Sequence, residues 1–202
     1  MGGCLNIEIH QSLNSHGQFI SSLKDILNLG LNQRQLAQFV SSVKLHNDGK
    51  HCWCEYEKVK VKFQPKQNVD QLEWDIFLYC NQDEYNYVIE FRIQETKIQI
   101  YEEDWPYFEI DKTNQILSLM KQIHELNKKA LILFIDEASQ GILVENLNKE
   151  MVDINFLFDL AILPFGLNWS QTNGEYEIIE KVGQNEIWKS KSKYMRKFEN
   201  IN

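Results

Sequence analysis

Hydrophobic positions along the chain follow two rhythms, and the switches between them mark the elements. From residue 18 to 29, Phe19, Ile20, Leu23, Ile26 and Leu27 recur at helical spacing, which predicts an amphipathic helix stopped at Gly30. Asn32 and Gln35 form a capping-box pattern, and Leu36, Phe39, Val40 and Val43 then share one face of a second helix. Asn47-Asp48-Gly49 closes this helical region with turn residues.

Beyond it the period becomes two. Apolar and basic residues alternate from 58 to 63, with Pro65 ending the run. Trp74, Ile76, Leu78 and Cys80 alternate next. Tyr85, Tyr87, Ile89, Phe91 and Ile93 do so after a polar turn, and Ile98 and Ile100 continue past a break at Glu95-Thr96. This predicts a four-stranded antiparallel meander with one face on a core. A third helix starts at a capping Asp111, carries Ile116, Leu117, Leu119, Met120, Ile123 and Leu126 as its stripe, and ends at Lys128-Lys129, where cations suit the helix dipole. The continuous apolar run 130–135 reads as a central strand, and Ser139-Gln140-Gly141 turns the chain toward a returning 142–144. Residues 151–163 fit a helix or a strand. The spacing of Met151, Ile154, Leu157 and Phe158 favours a helix, ended by Pro164 and Gly166. Residues 175–182 and 187–188, around Gly183-Gln184-Asn185, read as a last hairpin.

The order of elements is α+β rather than alternating βαβ: an antiparallel sheet, meander plus C-terminal hairpin, packed with about four helices. No repeat, linker or composition break divides it. One globular domain over 1–202 is expected, with a short basic tail from 189 carrying Lys189, Lys191, Lys193, Arg196 and Lys197.

Composition supports a folded globule: of 202 residues, 43% are hydrophobic and 12% aromatic. The net charge of −8 disfavours nucleic acid and favours a basic partner. No run approaches the roughly 18 apolar residues that span a bilayer. The first residues lack a basic and then apolar leader, and Asn6 stands where myristoylation wants Ser or Thr, so a cytoplasmic location is expected. In that compartment Cys4, Cys52, Cys54 and Cys80 are expected as free buried thiols, with Cys52 and Cys54 turned to opposite faces around Trp53.

Candidate chemistry is sparse, because glycine-rich phosphate loops, HExxH, GxSxG and paired CxxC are all missing. His46, His51, Cys52, Cys54 and Cys80 suggest zinc, but without knuckle spacing no metal or other cofactor is expected. Asp75 with Glu95-Thr96-Lys97, or with Glu55 to Lys58, resembles a metal-nuclease arrangement that the acidic charge opposes. Asp136-Glu137 at a strand end is a possible carboxylate site for a small hydrolase.

The strongest feature is the segment 73–111, with eleven carboxylates against Arg92 and Lys97. Aromatics are interleaved among them, and Tyr101, Glu102, Glu103, Asp104, Trp105 and Tyr107, with Asp83 and Glu84, are the expected partner-binding residues. Aromatics anchor an interface and charges steer it. The expected function is a non-catalytic cytoplasmic module that binds a basic protein, as a bacterial immunity protein or antitoxin-type inhibitor does, with no catalytic residue. The alternatives are the Asp136/Glu137 hydrolase and a structural subunit of a larger complex.

Overall fold

The computed structural model describes residues 3–48, 52–63, 71–81, 86–102, 105–108, 110–136, 158–164 and 176–190. Among these, the chain is α+β and built on one large antiparallel sheet. Its eight strands run in the order β4 (Lys60–Lys62), β5 (Glu73–Asn81), β6 (Asn86–Gln94), β1 (Cys4–Ser12), β9 (Leu131–Asp136), β10 (Leu160–Leu163), β12 (Asn185–Ser190) and β11 (Tyr176–Val182). Two smaller two-stranded sheets stand beside it: β2 (Lys44–Asn47) with β3 (Cys52–Glu55), and β7 (Gln99–Glu102) with β8 (Trp105–Phe108).

Three α-helices occur among the described residues, α1 (His16–Leu27), α2 (Gln33–Ser42) and α3 (Ile110–Leu126). Ser15 caps α1 by accepting from the Gln18 N–H at 3.3 Å. The Asn32/Gln35 capping box of α2 is formed in both directions, at 2.9 and 3.4 Å. Each cap satisfies a backbone N–H that has no partner within its own helix. Gly30 does more than end α1. A Cβ there would lie 2.5 Å from Val61 Cγ2 and 3.0 Å from Phe63 Cδ1, so the turn must be bare for β4 to pack against it.

The helices supply Phe19, Leu23, Ile26, Leu36, Phe39, Ile116, Met120 and Ile123 to one face of the sheet. That face answers with Leu5, Ile7 and Ile9 from β1, Trp74, Ile76 and Leu78 from β5, and Ile89, Phe91 and Ile93 from β6. Each side chain of this kind contributes about 1.5–3 kcal/mol when fully buried. The second face is divided. Under β9 and β10 it is apolar, with Leu131, Leu133, Ile135, Ala161, Leu163, Phe158 and Tyr176 in a smaller cluster. Under β1, β5 and β6 it is polar.

Several expectations need correcting. Residues 4–12 form the central strand, which the sequence reading passed over. Its neighbours are β6 and β9, in a register that sets Ile7 opposite both Phe91 and Phe134. The meander is three strands, β4–β5–β6. The segment after Glu95 breaks into a 3-10 turn (Glu95–Lys97), and β7 leaves the sheet to pair with β8. The helical region ends at Ser42, and Lys44–Asn47 is a strand. The helix expected over 151–163 is wrong where it is described: Leu160–Leu163 is a strand buried on both faces, between β9 and β12, and 151–157 lie outside the described residues. The three helices among the described residues are roughly consistent with the expected four or so. The last hairpin is present, turning at Gly183 with φ of 64°, a left-handed conformation that glycine adopts freely. Lys189, taken as the start of a tail, belongs to β12 and pairs with Glu177 at 3.2 Å. The rest of the expected tail, from 191, lies outside the described residues. No described helix is long and apolar enough to cross a membrane.

Candidate functional site

The expected partner-binding residues divide between two places. Tyr101 and Glu102 lie on β7, and Trp105 and Tyr107 on β8. The ribbon register sets Glu102 opposite Trp105, Tyr101 opposite Pro106 and Ile100 opposite Tyr107. Pro106 has no N–H to donate, which a two-stranded ribbon tolerates because each strand has an edge. Glu103 and Asp104, between the two strands, lie outside the described residues, as do Asp83 and Glu84. The latter pair falls in the chain between β5 and β6, strands of the large sheet, whereas β7 and β8 form a separate one.

The folded chain also redistributes the acidic charge. Glu73 is held by Lys60 at 3.6 Å and by Lys62 at 3.4 Å, both from β4. Glu90 is only 4% exposed and takes the Arg92 guanidinium at 2.7 Å. Glu8 stands directly opposite Glu90 in the register, an unfavourable like-charge pair. It is relieved on the other side by His10, whose Nε2 lies 2.8 Å from the Glu8 carboxylate. Arg92 also sits over the Phe77 ring, 4.2 Å from its centroid. Burial pushes the Glu90 carboxyl above its ordinary range and outweighs the opposing pull of Arg92. Burial, with Glu90 adding to it, pushes the Tyr79 phenol up to about 12. This polar half-face of β1, β5 and β6 is a network of compensated charges.

The cysteines correct a further expectation. Cys52 and Cys54 share a face of β3, as residues two apart in a strand must, and Trp53 takes the other. That shared face looks toward β5, where Cys52 is paired with Cys80 in a disulfide and the Cys54 sulfur lies 3.9 Å from that of Cys80. Cys54 keeps a free thiol. Burial raises the Cys54 thiol to about 11, so it stays protonated and is a poor nucleophile.

Two of the five residues considered for zinc are thus consumed by each other. His46 is engaged by Glu55 at 3.0 Å and stacked on Trp53, and His51 lies outside the described residues. Among the described residues no group of three or more His, Cys, Asp or Glu is placed to hold a metal ion. The nuclease arrangement is not formed either. Glu95-Thr96-Lys97 is a 3-10 turn, whereas Asp75 sits on β5 opposite Arg92. Asp136 ends β9 opposite Leu5, and Glu137 lies outside the described residues.

Sequence reading gave no hint of the cavity at one end of the sheet. It holds about 480 Å3, within the usual range for small-molecule sites. It lies where β1, β5 and β10 finish, β6 and β9 begin and α3 ends. His10, Gln11 and Ser12 line it with Tyr79, Asn86, Tyr87, Asn127 and Lys129, and the apolar wall includes Leu13, Val88, Leu131 and Pro164. Residues from six elements and their flanks meet there, and no local pattern in the sequence joins them. No family profile, curated protein or solved structure matches the chain, so its function has to be read from its own residues.

Proposed function

We propose that the chain is a non-catalytic protein-binding module that neutralises a basic partner, in the manner of an immunity or antitoxin-type inhibitor. The observation that carries this reading is the β7–β8 ribbon. It stands outside the large sheet, and no third strand pairs with it among the described residues. It brings Tyr101, Glu102, Trp105 and Tyr107 into two short paired strands around Glu103 and Asp104. Residues 99–108 contain three carboxylates and no Lys or Arg, so the segment supplies no cation of its own to offset them. Tyr and Trp beside carboxylates suit Lys and Arg side chains, which can ion-pair at one end and lie over a ring with the other. The net charge of −8 speeds the encounter with a cationic surface.

The test compares the wild-type protein with a Glu102→Lys/Glu103→Lys/Asp104→Lys variant as affinity baits in native lysate at low and high salt. The expected result is a basic protein held by the wild type at low salt, released by salt and not held by the variant. Equal capture by both baits, or capture indifferent to salt, overturns this placement of the interface.

A further inference from the structure

We infer that Cys52, Cys54 and Cys80 form a redox latch, in which Cys80 on β5 closes on either cysteine of β3 and a dithiol reductant opens it. The thiol–disulfide balance then sets how firmly the β2–β3 hairpin is held to the large sheet. No residue of the β7–β8 ribbon takes part, so the latch stands apart from the proposed interface.

The hairpin sits where β5 is only partly flanked. On the side away from β6, β4 pairs with residues 73–75, and no described strand pairs with residues 76–81. The hairpin packs against this stretch, while among the described residues its own strands pair only with each other. The Tyr56 hydroxyl, just after β3, accepts from the Leu78 backbone N–H at 3.1 Å, and the Tyr56 ring meets Phe39 edge-on. The covalent tie between hairpin and sheet is the Cys52–Cys80 bond, whose Cα atoms are 5.8 Å apart, a common spacing for a disulfide.

A structural staple needs two cysteines, and here a third is within reach. Cys52 and Cys54 share the face of β3 that looks toward β5, and the Cys54 Sγ lies 3.9 Å from the Cys80 Sγ. A thiolate exchanges a disulfide by attacking one of its sulfurs. Cys54 gives up its proton and attacks Cys80. The Cys54–Cys80 bond forms as the Cys52–Cys80 bond breaks, and Cys52 leaves as a thiolate that takes a proton from water. No electron is gained or lost in that exchange. An external dithiol does the other half: it reduces either bond to two thiols and is itself oxidised to a disulfide. Because burial raises the Cys54 thiol to about 11, the internal exchange is slow at neutral pH. Its rate should rise about tenfold per pH unit with the thiolate fraction.

The test maps the bonds in the full chain. Protein oxidised at pH 7 is incubated at pH 7 and pH 9, quenched in acid and alkylated. Chymotrypsin, which cuts after Trp53 and so separates Cys52 from Cys54, then yields linked peptides for mass spectrometry. The wild type is expected to convert in part from Cys52–Cys80 to Cys54–Cys80, faster at pH 9. Cys52→Ser in a glutathione redox buffer is expected to form Cys54–Cys80, and Cys80→Ser to form neither bond. Reduction by dithiothreitol is expected to speed amide hydrogen exchange in residues 44–47 and 52–55 and at Leu78 by about tenfold, with circular dichroism unchanged. Absence of the Cys54–Cys80 peptide from both the wild type and Cys52→Ser overturns the inference, as does hairpin exchange that is equal before and after reduction. The wild-type map decides the matter even if a serine variant misfolds.

Discussion

Replacing Arg92 by methionine isolates the energetics of the buried half-face. Glu90 is 4% exposed, and Arg92 is its ion-pair partner at 2.7 Å. Removing one partner of a buried pair costs roughly 3–5 kcal/mol, because the other charge stays buried and uncompensated. The Arg92 side chain is a third exposed, so solvent already screens part of the interaction and the lower end applies, about 3 kcal/mol. The lost contact with the Phe77 ring acts in the same direction. In urea, with an m-value of about 2.5 kcal/mol/M, the unfolding midpoint falls by about 1.2 M while m itself is unchanged. Glu90→Met/Arg92→Met strands no charge and should recover most of the loss. The pH dependence has a definite sign. A raised carboxyl stabilises most below its unfolded pKa and loses that contribution as pH rises through the folded value. Without Arg92 the folded value rises further, so the deficit of Arg92→Met is larger at pH 8 than at pH 5. A single variant that loses less than about 1 kcal/mol, or a double variant as unstable as the single, would refute the reasoning.

Three other outcomes are expected. Asn32→Ala removes half of the capping box and should cost about 1 kcal/mol in the same urea assay. Gly30→Ala drives a methyl into Val61 and Phe63 and should cost about 1–3 kcal/mol, with the loss shrinking when Val61→Ala is added. His124 is 1% exposed and burial lowers its pKa, so its contribution to stability is present above the unfolded value near 6.5 and lost as pH falls below it. His124→Leu should flatten that acid limb of the stability profile, and an unflattened profile would place the buried proton acceptor elsewhere.

What the sequence discloses here depends on how local the cause is. The α2 capping box is written within four residues, and the stripes of α1 and α3 within two or three turns, so all three are legible. Leu160–Leu163 is buried on both faces, and such a run has no periodicity to separate strand from helix. Leu5, Ile7 and Ile9 do alternate, but only pairing with residues near 90 and 134 shows that they are central. The departure of β7 from the sheet follows from β1 occupying the edge of β6, and nothing in residues 99–102 states it. Cys52 and Cys54 were misread through the strand period itself. Their approach to Cys80 is then a matter of how β3 packs on β5. The acidic excess of 73–111 was legible as composition but not as a field, because Lys60 and Lys62 reach across from β4 to cancel part of it. The cavity needs the ends of several strands at once, so it could only be found folded.

The central position of β1 makes it the seam of the molecule. It alone joins the β4–β5–β6 half of the large sheet to the β9–β10–β12–β11 half. Joining them pairs Leu5 with Asp136, so one strand must wait for a partner made far later in the chain, and closing so long a loop slows folding. Until then β6 and β9 each present an unpaired edge, which is the form in which strands aggregate. The same geometry makes the strand replaceable. A chain starting after Ser12 would keep a one-strand slot between two edges, and a separate peptide carrying residues 3–13 could enter it by backbone pairing, its isoleucines reading the helical side of the slot. The fold therefore offers a natural division into two fragments whose reassembly reports on the integrity of the whole sheet.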